Sequence, residues 1–213
     1  MQIKINLQIF LFMAVFILTH QIELYTWIML FAFIHESGHM LAGLILKLKP
    51  KAINIMPFGV SITFEDYGYK KLMEIKKILI ALAGPLTNIF LVLLTSFLHI
   101  NTHIKEMIIY SNTLIAFFNI IPLYPLDGGR ILKGIIRLKL SKEKSDEIIN
   151  RISNILIILV TAVSSVLILY FKNIAILFIL IYLWILVIKQ NQRYRIKKVM
   201  YRALQKNNKC IDF

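Results

Sequence analysis

The sequence predicts an all-α polytopic membrane protein with about six transmembrane helices and one short re-entrant β-hairpin. The first observation is composition, because 58% of the 213 residues are hydrophobic, more than a soluble domain of this length can bury. The second is the length of the apolar segments, several of which reach the ~20 residues that a helix needs to cross a bilayer. The third is positive charge, which is concentrated in alternate loops between these segments.

Six apolar segments are the candidate membrane helices, and the first of them is short for a complete crossing. A further segment, 52–64, is apolar and β-branched, with Pro57 and Gly59 near its centre, which is typical of a hairpin or a re-entrant strand. We therefore predict a membrane domain over 1–190 and a basic cytoplasmic tail over 191–213. The six segments lie at 6–19, 24–46, 78–98, 107–125, 153–171 and 174–189.

The net charge of +14 follows the predicted topology. Of the 25 Lys and Arg residues, only Lys105 and Lys172 lie in the short loops assigned to the outer side of the membrane. Six crossings with both termini in the cytoplasm of a bacterial cell satisfy the positive-inside rule. We therefore interpret the basic tail as a topology signal that also contacts the anionic lipid bilayer, and we expect no direct nucleic-acid partner.

The motif His35-Glu36-Ser37-Gly38-His39 lies inside the second apolar segment. Two imidazoles four residues apart share one face of a helix and can bind the same zinc ion. The glutamate beside the first histidine is placed to take a proton from a water that the metal activates. An ionisable group at mid-membrane costs about 2.5–3.5 kcal/mol on the insertion scale, so these three residues are functional candidates.

A hydrolytic zinc site needs a third protein ligand and leaves one position for water. The carboxylates of the loop 47–77 are expected to be solvated surface charges, so they are not our candidates for this ligand. Asp127 differs, because it follows a helix that Pro122 and Pro125 must end, and two glycines behind it allow a close turn. The backbone at this break must be packed in protein or line a wet cavity. We predict Asp127 as the third ligand.

Two amides also lie in apolar segments. Asn119 either caps the broken helix or donates a hydrogen bond to the substrate backbone or the oxyanion, and it is our second catalytic candidate beside Glu36. Asn88 fits helix packing better than a direct role. The Gly84-Pro85 pair before it predicts close helix packing or a kink.

Three motifs, in this order, resemble the site-2 protease family of intramembrane zinc metalloproteases. The resemblance implies Zn²⁺ bound by His35, His39 and Asp127, with Glu36 as the catalytic glutamate of a zinc metalloendopeptidase (EC 3.4.24). The compact six-span form most resembles the stage IV sporulation protein FB branch, which releases a mother-cell sigma factor from its membrane-associated pro-form. The motifs are His35-Glu36-x-x-His39, Gly84-Pro85-Leu86-x-Asn88 and Asn119-x-x-Pro122-x-x-Pro125-Leu126-Asp127-Gly128.

The expected substrate is a membrane-associated protein, and the resemblance extends this expectation to a pro-sigma factor. An inhibitory membrane partner is also expected, since such proteolysis needs restraint.

Two alternatives remain open: a divalent-metal transporter and a non-catalytic membrane binding protein, each using the same His/Asp site. Transporters usually show internal repeats, which we do not find. A strand within 53–64 is our candidate for holding an unwound substrate by β-addition.

Overall fold

The chain is predominantly helical. The computed structural model describes residues 2–5, 8–48, 50–56, 59–64, 70–172 and 174–211. It contains three short strands, β1 (Gln2–Ile5), β2 (Pro50–Met56) and β3 (Gly59–Phe64). The helices are α1 (Gln8–Leu18), α2 (Ile22–Ile45), α3 (Lys70–Phe97), α4 (Thr102–Ile120), α5 (Asp127–Lys139), α6 (Lys142–Phe171) and α7 (Ile174–Ile211).

Four helices of the described residues are long and apolar enough to cross a membrane. These stretches are Ile22–Ile45, Met73–Phe97, Lys142–Tyr170 and Ala175–Ala203. By contrast, α1 has 11 residues, which span only about 16 Å at 1.5 Å per residue, and α4 has 19 residues but includes polar ones such as Lys105, Glu106 and Asn112, which lower its hydropathy. The structure thus agrees with a polytopic membrane protein but does not support the predicted count of six crossings. The sequence count failed because apolar runs do not reveal where a helix begins and ends.

The three strands form one small sheet in the order β1-β2-β3 beside the predicted helices. Strand β1 pairs with β2 in parallel, and β2 pairs with β3 in antiparallel fashion. The antiparallel pair lies where the sequence predicts a hairpin. Nothing in the described residues places this pair inside the bilayer, so its re-entrant position is not supported. The strand β1 was not anticipated from the sequence.

Helix α3 is the centre of the assembly, because α2, α4 and α5 all pack against it. Helices α6 and α7 pack as a second pair, which contacts α5, the short helix α1, the first part of α2 and the segment between α4 and α5. The domain boundary predicted near residue 190 lies inside α7, which runs through it as one helix. That boundary stays a prediction.

The segment between α4 and α5 confirms that the two prolines end the helix, since α4 stops at Ile120 and α5 starts at Asp127. Leu123 in this segment is 1% exposed and packs against apolar side chains of α6 and α7. The next backbone N–H, that of Tyr124, donates to Ser153 Oγ at 3.1 Å. The broken backbone is therefore packed in protein, as hydrocarbon depth requires.

A buried ionic cluster fixes α5 against its neighbours. Asp146 of α6 is 2% exposed and pairs with Lys133 Nζ at 2.7 Å and Arg137 Nη2 at 2.9 Å. Arg137 Nη1 also lies 3.4 Å from Glu74 Oε1 of α3. The amphipathic helix or helix pair predicted over 130–152 is thus α5 together with the first turns of α6. The cluster ties the helix that begins with Asp127 to both α3 and α6.

Candidate metal centre

Three predicted ligands come together between α2 and the start of α5. His35, His39 and Asp127 are 3%, 2% and 4% exposed, and one ligand atom from each lies within 4.8 Å of the others. The Nε2 atoms of His35 and His39 are 3.0 and 3.1 Å from Asp127 Oδ2, and 3.1 Å from each other. Two histidines from one helix and a carboxylate from another thus form one buried triad.

The donor set of this triad fits a divalent cation. His39 Nδ1 lies 2.6 Å from the backbone oxygen of Ile80, which can only accept, so Nδ1 carries the proton and the neutral ring presents a lone pair at Nε2. His35 Nδ1 contacts Asn88 Oδ1 at 2.5 Å in the same manner. Two imidazole lone pairs and a carboxylate oxygen would then face one another across about 3 Å. Such an arrangement is repulsive without a cation, and two His with one acidic residue are a common ligand set of catalytic zinc.

Asp127 is placed to remain ionised. It is the first residue of α5, where the helix dipole favours a negative charge, and Arg130 Nη1 lies 3.5 Å from its Oδ1. Burial raises the pKa of Asp127, whereas the charge of Arg130 lowers it. A ligand carboxylate must be deprotonated, and this environment satisfies that condition.

Glu36 lies beside the triad with an unused acceptor. The residue is half-buried, and its Oε2 is buried with no hydrogen-bond partner among the described residues. Its carboxyl group lies close enough to His35, His39 and Asp127 to interact electrostatically with them. A buried carboxylate oxygen without a partner is costly unless the site uses it. A general base that receives a proton from water next to the triad requires such an acceptor.

Helix α3 forms the wall behind the two histidines. A Cβ at Gly84 would overlap the imidazoles of both His35 and His39, so glycine is required for this close approach. Helix α3 continues through Pro85 as one helix. The close packing predicted from the Gly84-Pro85 pair is therefore confirmed, and it brings α3 directly against the ligands.

The amides are used differently from the expectation. Asn119 is half-buried, and its Nδ2 donates to the backbone oxygen of Ile115 in its own helix at 3.0 Å. Its catalytic role stays a prediction. Asn88 is 0% exposed and contacts His35, and its Nδ2 donates to Asn112 Oδ1 at 2.8 Å. Sequence reasoning missed Asn112, although a lone amide in the middle of an apolar segment is a signal that could have found it.

Comparison with known proteins places these features in context. Residues 98–160 match the model of peptidase family M50. The chain is 31% identical over 136 residues to stage IV sporulation protein FB of Bacillus subtilis, which covers 61% of this chain and 46% of that protein. It is also 31% identical over 123 residues to zinc metalloprotease MJ0392 of Methanocaldococcus jannaschii, which covers 54% of this chain and 34% of that protein. The chain thus spans less than half the length of these curated relatives.

The fold has a solved counterpart in the site-2 protease from Methanocaldococcus jannaschii. The match has a TM-score of 0.62 and 23% identity, and it covers 88% of this chain and 89% of that chain. Together with the four long apolar helices, these relatives identify an integral membrane protein. The chain therefore shares its fold with a site-2 protease, and its residues 98–160 match peptidase family M50, in agreement with the family resemblance that its three motifs predict.

Proposed function

We propose that this chain is an intramembrane zinc endopeptidase that hydrolyses a peptide bond of a membrane-associated protein. The observation that supports it most is the convergence of His35, His39 and Asp127 from two helices, with the unpartnered Oε2 atom of Glu36 beside them. A structural zinc site would use four protein ligands, whereas three ligands and an adjacent base suit a hydrolytic one.

The roles of the residues follow from their chemistry. His35, His39 and Asp127 would hold the zinc ion, which when bound lowers the pKa of water to about 7 and polarises a carbonyl as a Lewis acid. Glu36 accepts the proton of the attacking water and returns it to the leaving amine. Burial of the triad excludes bulk water, which strengthens each charge interaction within the site.

The sheet offers a place for an unwound substrate. Strand β2 is central, so β3 is paired on one side only among the described strands, and β3 lies against α2, the helix that carries the histidines. An extended peptide can add to such an open edge through main-chain hydrogen bonds. We therefore propose that β3 reaches the membrane interior and holds the segment to be cut in extended form. A helical peptide bond must be unwound in this way before it is accessible.

Proline substitutions along β3 test this role. Val60 and Ile62 point their N–H groups to one edge of the strand, and Ser61 and Thr63 point theirs to the other, because successive residues alternate. Proline removes the donor. At the positions that face the open edge we expect cleavage to fall about fivefold per lost hydrogen bond, the equivalent of about 1 kcal/mol, with zinc content unchanged. The positions that face β2 are the matched controls and should lower stability instead. Wild-type cleavage by all four single variants would contradict the proposal.

The membrane topology and partners extend the proposal. Because α4 packs along α3, we propose that α4 returns the chain across the membrane and that α1 embeds beside α2 and α7, which gives six embedded helices. The charge distribution favours cytoplasmic termini. One relative is named stage IV sporulation protein FB, which supports a role in sporulation, and the family resemblance extends this proposal to a pro-sigma factor as substrate. An inhibitory membrane partner is proposed as the regulator.

Metal removal is the direct test of the activity. The purified chain should hold about one zinc ion, measured by mass spectrometry of the metal. Reconstituted in vesicles with candidate membrane-tethered transcription-factor precursors, it should cleave one of them, lose this activity with 1,10-phenanthroline and regain it with added Zn²⁺. Cleavage that persists in the demonstrably metal-free protein, or a purified chain that binds no zinc, would overturn the proposed function.

A further inference from the structure

The face of α3 that meets the triad carries three features at helical spacing. The backbone oxygen of Ile80 accepts a hydrogen bond from His39 Nδ1, and Asn88 Oδ1 accepts one from His35 Nδ1. Gly84, between them, leaves room for both imidazole rings. These residues are four apart and therefore lie on one face of the helix. We propose that Asn88 is a positioning residue, which holds His35 in the tautomer that directs the Nε2 lone pair at the metal. The inference rests on the proposed zinc site and names a residue that supports it.

The direction of each hydrogen bond follows from a fixed end point. Asn112 Nδ2 lies 2.8 Å from the backbone oxygen of Ile108, which can only accept, so the amide of Asn112 must donate there and present Oδ1 to Asn88. Asn88 must in turn donate Nδ2 to that oxygen, at 2.8 Å, and present its own Oδ1 to His35. The imidazole can satisfy this acceptor only with a proton on Nδ1. The hydrogen bonds that link Ile108 to His35 therefore fix the tautomer of His35.

Because the two amides are buried, this series of hydrogen bonds allows only one orientation of each amide. Asn88 and Asn112 are both 0% exposed, so no bulk water can repair a mismatched contact. If either amide were reversed, two donors or two acceptors would face each other in a buried site. His39 needs no such chain, because a backbone oxygen that cannot rotate receives its Nδ1. The orientation of His35 thus depends on side chains, whereas that of His39 depends on the path of α3 alone.

Zinc affinity, measured by competition with a chromophoric chelator, tests the proposal. Asn88→Leu removes the acceptor and should weaken Zn²⁺ binding by about 10–100-fold, the usual effect of losing a hydrogen bond to a ligand histidine. In Asn88→Asp, the buried carboxyl group in its protonated form keeps an acceptor for His35 Nδ1 and donates its O–H to Asn112 Oδ1, so the direction of both hydrogen bonds is preserved. This variant should therefore retain affinity within about threefold of the wild type, which a purely structural role would not produce. Asn112→Leu should give an intermediate loss, because the amide of Asn88 becomes free to rotate.

A matched control exists in the second helix pair. Asn191 Nδ2 of α7 donates to Asn154 Oδ1 of α6 at 2.9 Å, an amide pair of the same kind without contact to the triad. Asn154→Leu should leave zinc affinity unchanged.

The absorption spectrum of bound Co²⁺ gives a second readout, which should change in Asn88→Leu and be restored in Asn88→Asp. Helix content and elution volume identify any variant that does not fold, in which case Asn112→Leu and Asn88→Asp still decide the question.

The outcomes separate this inference from the proposed function. Equal zinc affinity in the wild type and folded Asn88→Leu, or an equal loss in Asn154→Leu, overturns the positioning role while leaving the protease intact. If the wild type binds zinc but cleaves nothing, the proposed function fails and the affinities still decide the role of Asn88. A wild-type chain that binds no zinc overturns both.

Discussion

Glu36→Gln is expected to stop peptide hydrolysis while zinc remains bound. Glutamine has nearly the same shape but cannot accept the proton of the attacking water, and loss of a general base typically costs 10²–10⁴-fold in rate. None of the three triad contacts involves Glu36, so the metal site should persist. The measurement is the cleavage rate of a membrane-tethered substrate in vesicles, together with the zinc content of the same preparation.

The same variant separates the proposed protease from the alternatives. A divalent-metal transporter would keep its flux of Zn²⁺ into vesicles when Glu36 is replaced, and a non-catalytic binding protein would show no change in any assay. We expect no zinc flux in either the wild type or the variant. Undiminished cleavage by Glu36→Gln would remove the base from the mechanism, and sustained metal flux would favour transport.

Asp127→Asn is expected to release the metal and, with it, the activity. The amide preserves the size of the side chain but is neutral and a poor zinc ligand, so two imidazoles alone would remain. The loss of affinity should be at least about 100-fold, which is the upper range for losing only an outer hydrogen bond. Chelator competition measures it directly. Glu36→Gln is the matched control, because it also removes one carboxylate beside the site but no ligand. A zinc affinity of Asp127→Asn equal to that of this control would exclude Asp127 as a ligand.

The sequence could predict the metal centre because its main part is local. His35 and His39 share a helix face by their spacing alone, and Asp127 could be identified because two prolines and two glycines mark its backbone as irregular. That Asp127 reaches the histidines depends on the packing of α2 and α5 on α3, which no local pattern states. The family resemblance supplied this contact in advance.

Other features had no local signal. Strand β1 pairs in parallel with β2, which lies about 50 residues further along the chain. The four residues of β1 mix polar and apolar side chains, so their sequence does not indicate that they pair with a distant strand. The length of α7 had no local signal either, because the helix continues through its polar residues long after the apolar run ends at 189. A helix can extend into water when charged side chains cover it, so hydropathy marks the membrane but not the end of the helix.

The central position of α3 has a thermodynamic consequence for the whole assembly. Helices α2 and α5 each pack mainly against α3 rather than against one another, and their ligands are separated by 88 residues of chain between His39 and Asp127. An ion bound by the triad would therefore be the most direct link between these two helices. Occupancy and tertiary assembly become linked equilibria: at a free metal concentration one hundred times Kd, the assembled state gains about 2.7 kcal/mol over the separated one. Depletion of the metal would thus destabilise the tertiary structure as well as abolish the hydrolytic activity.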